Sequence, residues 1–177
     1  MPAPLQLVDH DLAWPDMFVA EREALLGVIG RYLSGPIEHV GSTAVPGLRA
    51  KPIIDIMAGV KSLDTSRGAI ELLTALDYHY WPYRADVMHW FCKPSPDHRT
   101  HHLHLVPFGS PLWRERLAFR DRLRKDPAAR AEYSALKDSL ALRFPHDREA
   151  YTEAKGELVR RLVEMELKQD SAAPTPR

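Results

Sequence analysis

The sequence predicts an α+β domain. A small mixed sheet of about four or five strands would carry helices on one side and continue into a helical C-terminal segment. Three observations predict it. Short apolar or aromatic runs bounded by Gly, Pro and Asp recur between residues 37 and 107, which is a strand pattern. Trp14, Phe18, Leu25, Ile29 and Tyr32 repeat at helical spacing. The last third holds long helical patterns punctuated at Asp126-Pro127 and Pro145-His146-Asp147.

The chain has 177 residues and reads as one domain over 1–169, with a polar tail at 170–177 expected to be disordered. Its 24 basic residues balance 24 acidic ones, so no global field recruits nucleic acid or a membrane. Nine histidines make its charge sensitive to mild acid. A single cysteine, Cys92, excludes an internal disulfide framework and fits a reducing compartment. Met1-Pro2-Ala3-Pro4 lacks the charged and apolar regions of a secretory signal. No apolar run approaches the ~20 residues of a membrane helix. A cytoplasmic protein is expected.

In order, residues 1–12 read as an extended lead-in. A helix follows with Pro15 near its first turn and runs to about Tyr32, where Ser34-Gly35-Pro36 stops it. A short strand enters the turn Gly41-Ser42-Thr43, and Val45-Pro46-Gly47 fits a type II turn. Pro52 opens a buried strand that continues through Val60 and carries one carboxylate, Asp55. Leu63-Asp64-Thr65 caps a helix over 66–76. Tyr78–Trp81, Val87–Lys93 and Thr100–Pro107 read as strands, with a hairpin tip at 94–98. Helices are expected near 111–125, 127–143 and 147–167.

The stretch from Ile37 to Met57 holds the chemistry. Gly41 lets the backbone approach another group, and Ser42 and Thr43 add hydroxyls beside N–H groups able to nest an anion. A carboxylate on a buried strand is costly unless paired, hydrogen-bonded or on a metal, so Asp55 is either a turn cap or part of a site.

GSTAVPGLRAKPIIDI, with His39-Val40 before it, His102-Leu103-His104 in the middle and Phe119 to Arg124 later, resembles the GrpB family of the nucleotidyltransferase (polymerase β-like) superfamily. The resemblance covers nearly the whole chain. It implies a nucleotidyltransferase-like fold in which a Gly-Ser turn holds nucleotide phosphates and strand carboxylates hold metal. Gly41 and Ser42 match that turn, and Asp55 matches the first carboxylate. Met57 stands where the second carboxylate should be. The family is also similar to a domain fused to dephospho-CoA kinases in some bacteria, which makes a CoA-related role or a kinase partner a further expectation.

His102 and His104 share one strand face, opposite Leu103 and Leu105. Through the resemblance that strand would bring two imidazoles toward Asp55, with His39 close by. Two His and a carboxylate suit Zn, Mn, Fe or Ni better than Mg, so a divalent metal held by Asp55, His102, His104 and His39 is one expectation; hydrogen-bonded strand histidines are the other.

Tyr133-x-x-x-Lys137 and Tyr151-x-x-x-Lys155 each place a lysine on an apolar helix face. Each stem either snorkels to water or a carboxylate, or meets a ligand phosphate. Arg116, Arg120 and Arg124 form a helical stripe; a solvated face and, for Arg120, a phosphate clamp are both open, while Asp121 reads as structural. Lys51 lies inside the matched motif, and Arg49 is as well explained by solvent. Trp81, Trp90 and Trp113 read as core, and Cys92 as inert.

Two functions follow. The first is metal-assisted nucleotidyl or phosphoryl transfer to an unknown acceptor, with Asp55 and His104 catalytic and Gly41, Ser42, Thr43, Lys51, Arg120, Lys137 and Lys155 on a nucleotide or other phosphate-containing ligand. The second is a non-catalytic ligand-binding or partner module, which the missing carboxylate at Met57 favours. A metal-dependent phosphoester hydrolase is a weaker third.

Overall fold

The computed structural model describes residues 5–172. It is a mixed α+β structure built on one five-stranded sheet. The strands are β1 (Leu33–Val40), β2 (Ile54–Val60), β3 (His79–Trp81), β4 (His89–Pro94) and β5 (Arg99–Pro107), in the order β1-β2-β5-β4-β3. β2 and β5 run parallel, and every other neighbouring pair is antiparallel.

One sheet face is covered by α1 (Trp14–Ile29) and the short α2 (Gly68–Leu72). Trp14, Leu25 and Ile29 of α1 meet Ile54, Ile56, Ala58, Phe91, Leu103 and Leu105 there, all buried. Removing that much apolar surface from water is the main stabilising term. On the other face, Met57, Trp90 and Cys92 pack with Leu112 and Trp113 of α3 (Pro111–Lys125). A third cluster joins Val45 and Leu48 to Leu123, Tyr133, Leu158 and Leu162. It ties the loop after β1 to α3, α4 (Pro127–Arg143) and α6 (Gly156–Ala172). Among the described residues no helix is long and apolar enough to cross a membrane.

The predicted helix stops are N-caps. Asp126 accepts from the Ala128 and Ala129 N–H groups, and Asp147 from Glu149 and Ala150. Ser110 does the same for α3 through Trp113.

Several boundaries differ from the sequence expectation. The first helix gives way to a 3-10 turn at Gly30–Tyr32, and Ser34-Gly35-Pro36 lies inside β1. Gly35 is needed there because a Cβ would sit 2.3 Å from the Phe108 ring. β2 begins at Ile54, two residues after Pro52. The helix expected at 66–76 is α2 followed by a 3-10 turn, Leu73–Leu76, and its N-cap is Arg67 with no side-chain cap. Residues of the lead-in are tied down: Val8 bridges Ala50, and the Leu5 N–H donates to the Pro145 carbonyl. The helix expected at 147–167 breaks into α5 (Arg148–Glu153) and α6. α6 runs to Ala172, into the expected tail; residues 173–177 lie outside the described residues. Trp81 is 62% exposed on the edge strand and is not core, whereas Trp90 and Trp113 are buried.

Candidate functional site

Register decides what meets on the second sheet face. Val40 pairs with Asp55, Asp55 with His102, and His102 with Cys92. The neighbouring row is Glu38, Met57, His104 and Trp90. Directly paired residues point to the same side of a sheet. Asp55, His102 and His104 therefore stand together: alternation puts the two histidines on one face, and the β2–β5 register brings Asp55 beside them, as the family resemblance implied.

His102 Nδ1 lies 3.0 Å from Asp55 Oδ1. Burial alone would raise the Asp55 pKa. The hydrogen bond from His102 and the imidazole of His104 outweigh it and hold the carboxyl well below the usual range. An ionised carboxylate only accepts, so His102 donates from Nδ1 and, when neutral, keeps a lone pair on Nε2. That Nε2 is buried and has no hydrogen-bond partner. His104 is more deeply set. Its Nε2 is 3.8 Å from the same Asp55 oxygen and its Nδ1 is 3.4 Å from Met88 Sδ. Burial, with the Arg116 charge beside it, pushes its pKa down to about 3. His104 is thus a neutral neighbour of Asp55, and the Nε2 atoms of both histidines are buried without a hydrogen-bond partner.

Gly41 closes this site on the β1 side. Its φ is +71°, and a Cβ would fall 2.5 Å from Asp55 Oδ2. Both facts require glycine. Ser42 follows in a 3-10 turn, Ser42–Ala44.

Three lysines converge on that turn. Lys137 is only 2% exposed; its Nζ donates to the Arg49 carbonyl and lies 3.4 Å from Ser42 Oγ. Lys51 and Lys155 hold their ammoniums 4.6 and 4.1 Å from the centre of one ring, Tyr151. The break between α5 and α6 falls at Ala154-Lys155 and sets Lys155 over that ring. Among the described residues no carboxylate forms an ion pair with any of the three. Burial lowers Lys51 and Lys137 to about 8. Burial, with the charges of Lys51 and Lys137, lowers Lys155 to about 7. Tyr133 completes the wall; burial pushes its phenol up to about 12, against a hydrogen bond from Ser42.

Other residues expected in the site are placed elsewhere. His39 pairs with Ile56, so its ring lies on the opposite sheet face from Asp55. It stacks on Phe18 at 4.8 Å and its Nε2 meets Thr43 Oγ1 at 3.0 Å. Burial lowers its pKa to about 4. Thr43 is buried and donates to the Ile53 carbonyl, which braces the turn from behind. His39 and Thr43 instead line a cavity of about 310 Å³ along the outer edge of β1, with Phe18 and Arg124. Arg120 is engaged by Glu38 at 2.7 Å, Asp121 at 2.7 Å and the His39 carbonyl. Its guanidinium is thus paired with two carboxylates inside the fold. Arg49 is similarly held by Asp9 and Asp138. Among the described residues no three His, Cys, Asp or Glu side chains are arranged as ligands of one metal ion. Asp55 and His102 are joined by a hydrogen bond.

Sequence reasoning missed Tyr151, Tyr133 and Arg116 as parts of the site. The repeated Tyr-x-x-x-Lys spacing was the available signal for the first two, since residues four apart share a helix face.

The model of the GrpB protein family matches residues 4–165. A UPF0157 protein of Pseudomonas aeruginosa is 39% identical over 163 residues, which cover 90% of this chain and 66% of that protein. The glutamate-rich protein GrpB of Alkalihalophilus pseudofirmus is 37% identical over 158 residues, 86% of this chain and 90% of its own. A dephospho-CoA kinase of Mycolicibacterium paratuberculosis is 30% identical, and the chain spans 44% of its length. The crystal structure of the conserved protein GrpB from Enterococcus faecalis superposes with a TM-score of 0.84 at 30% identity, covering 93% of this chain and 98% of that one. Matched along nearly its whole length in sequence and in fold, the chain belongs to the GrpB family.

Proposed function

We propose that this chain binds a phosphate-bearing small molecule at the Gly41-Ser42 turn and transfers its phosphoryl or nucleotidyl group to an acceptor hydroxyl. One observation carries the reading: Lys137 meets Ser42 of the turn, Lys51 and Lys155 gather over Tyr151 within electrostatic reach of it, and among the described residues none of the three has a carboxylate at ion-pair distance. Cations held near one another out of water depress one another's charge. An incoming phosphate dianion reverses that penalty. Ser42 and the turn's N–H groups add neutral donors.

The reacting centre is the Asp55–His102 pair beside it. Asp55 fixes His102 with the proton on Nδ1, so Nε2 takes the acceptor hydroxyl proton as its oxygen attacks phosphorus. The P–O bond to the leaving group breaks, and the lysines neutralise the charge left on the phosphate oxygens. This assigns the base role to His102, with His104 positioning Asp55. The nucleotidyltransferase superfamily is the fold ancestry this suggests, with the ammoniums standing in for charge that metal on a second carboxylate would supply. Met57 occupies that carboxylate's place, and Glu38 beside it is taken by Arg120. The similar mycobacterial protein named dephospho-CoA kinase is consistent with a phosphate-ester ligand.

The test is calorimetric titration with inorganic pyrophosphate, a nucleoside triphosphate and dephospho-CoA, each with and without chelator. At least one binds without metal, and Lys137→Gln or Lys155→Gln weakens it about tenfold. His102→Asn leaves binding intact and removes turnover. Absence of binding by every phosphate compound overturns the reading. Binding with no turnover toward any hydroxyl acceptor supports the non-catalytic module instead.

A further inference from the structure

The sheet order places a second cluster on the far side of His102 from the lysines. The lysines gather at the β1–β2 end; beyond β5 stands β4 with Trp90. The Trp90 ring is 5.0 Å from the His102 ring, and Tyr83 stands edge-on to Trp90 at 6.3 Å. Arg99 caps the indole at 5.3 Å. Tyr83 is half exposed, so the wall meets solvent at its Tyr83 end while Trp90 behind it is buried.

Two guanidiniums flank the wall. Arg116 reaches in from α3; its Nε is buried without a hydrogen-bond partner. The charges acting on it come from Asp55 and from Arg84, with Tyr83 and Glu115 also near. Arg84 sits in the connection between β3 and β4 at φ +47°, a left-handed backbone that a non-glycine residue adopts only when its surroundings impose it. Here they do. The Arg84 carbonyl accepts from both Val87 and Met88 N–H, at 3.0 and 3.1 Å, and Met88 Sδ touches His104. The strained turn is therefore built onto the site. Among the described residues neither Arg84 nor Arg116 forms an ion pair with a carboxylate. Two guanidiniums within electrostatic reach of each other, neither held by a carboxylate at ion-pair distance, suit an oxyanion that accepts hydrogen bonds from both.

We infer that Arg84, Arg116 and the Tyr83–Trp90 wall form a second anion subsite, which takes an acceptor joining an oxyanion to a planar ring. The word acceptor rests on the transfer reading above; the subsite itself rests on these side chains. An acceptor held there presents its hydroxyl to His102 Nε2 from the side opposite the phosphate donor.

The experiment is 15N NMR titration of the whole chain with phenyl phosphate and with benzoate, with phenol as the uncharged control and inorganic phosphate as the ringless one. Both ring-bearing oxyanions are expected to shift the Trp90 indole N–H and the Tyr83 amide, and phenol is not. Arg84→Gln and Arg116→Gln each weaken that response about tenfold, while the Ser42 amide still answers inorganic phosphate. Arg84 is exposed, so Arg84→Gln remains decisive if Arg116→Gln fails to fold. A Trp90 indole silent to both probes, equally responsive to phenol, or unaffected by Arg84→Gln overturns the inference. Silence at Trp90 with response at Ser42 sinks this subsite alone. Response at Trp90 with silence at Ser42 keeps the subsite and sinks the phosphate-donor reading.

Discussion

His101 and His102 are consecutive residues of β5, and each approaches one carboxylate. They face opposite sides of the sheet. His101 Nε2 is 4.0 Å from Glu21 Oε2, and Lys93 Nζ is 2.5 Å from the same oxygen. The Lys93 ammonium also lies over the Tyr78 ring at 5.1 Å. Burial, with Glu21 beside it, pushes the Tyr78 phenol up, and burial lowers His101. This is a closed ion pair under α1. On the other face, among the described residues, Asp55 has histidines but no lysine or arginine at ion-pair distance, and Lys51, Lys137 and Lys155 have no carboxylate at that distance. The same residue types thus make a fastening on one face and an open site on the other. The difference lies in whether the carboxylate and a cation cancel within the fold.

Breaking the fastening has the largest expected effect. Glu21→Ala leaves the Lys93 ammonium buried without its partner and costs about 3–5 kcal/mol in urea unfolding. The apolar double variant Glu21→Leu/Lys93→Met recovers most of it. If Glu21→Ala unfolds no more easily than the native chain, the first half of the comparison is wrong.

Gly41→Ala comes next. The positive φ costs about 2–3 kcal/mol, and the added Cβ displaces Asp55. Thermal melting reads the first effect, and the His102 imidazole resonances read the second.

Asp55→Asn is smaller, about 1–2 kcal/mol, because one charge-assisted hydrogen bond is exchanged for a neutral one. Its mark is the acid limb. A carboxyl held below its ordinary 3.8 stabilises the fold above that value and loses the contribution as pH falls through the depressed range. Asp55→Asn should remove part of that loss. A variant as unstable as Glu21→Ala would erase the contrast between the two faces.

The lysines give the smallest and most selective signal. Lys155 is held to about 7 against an ordinary 10.5, so the unfolded chain binds more protons between those values. Stability therefore rises as pH increases from about 7 toward 10. In phosphate-free buffer the urea midpoint climbs over that window, Lys155→Gln flattens the climb, and saturating pyrophosphate flattens it too. A native chain with no slope would mean solvated ammoniums.

Much of this was legible in the chain itself. Asp126-Pro127 marked the start of α4, and α3 and α4 fall where expected because their caps and apolar periodicity are local features. The His102/His104 face followed from strand alternation. His39 could not be placed that way. Alternation within β1 says that His39 and Val40 face opposite sides, but only the pairing of Val40 with Asp55 says which side is the site. Trp81 reads as core by residue type, yet β3 is the sheet edge and leaves it in water.

The sequence by itself determined most element types, the Gly41-Ser42 turn before the Asp55 strand, and the placement of Lys137 on an apolar helix face; Lys155, expected on such a face, falls in the break between α5 and α6. These depend on spacings of a few residues, where backbone geometry allows little choice. Only the tertiary structure decided which cations keep a carboxylate. Arg49 finds Asp138, Arg120 finds Glu38 and Lys93 finds Glu21, each across a long stretch of chain. Among the described residues Lys51, Lys137, Lys155, Arg84 and Arg116 form no ion pair with a carboxylate. Charge pairing is set by distances that packing creates, and no local pattern of residues encodes them.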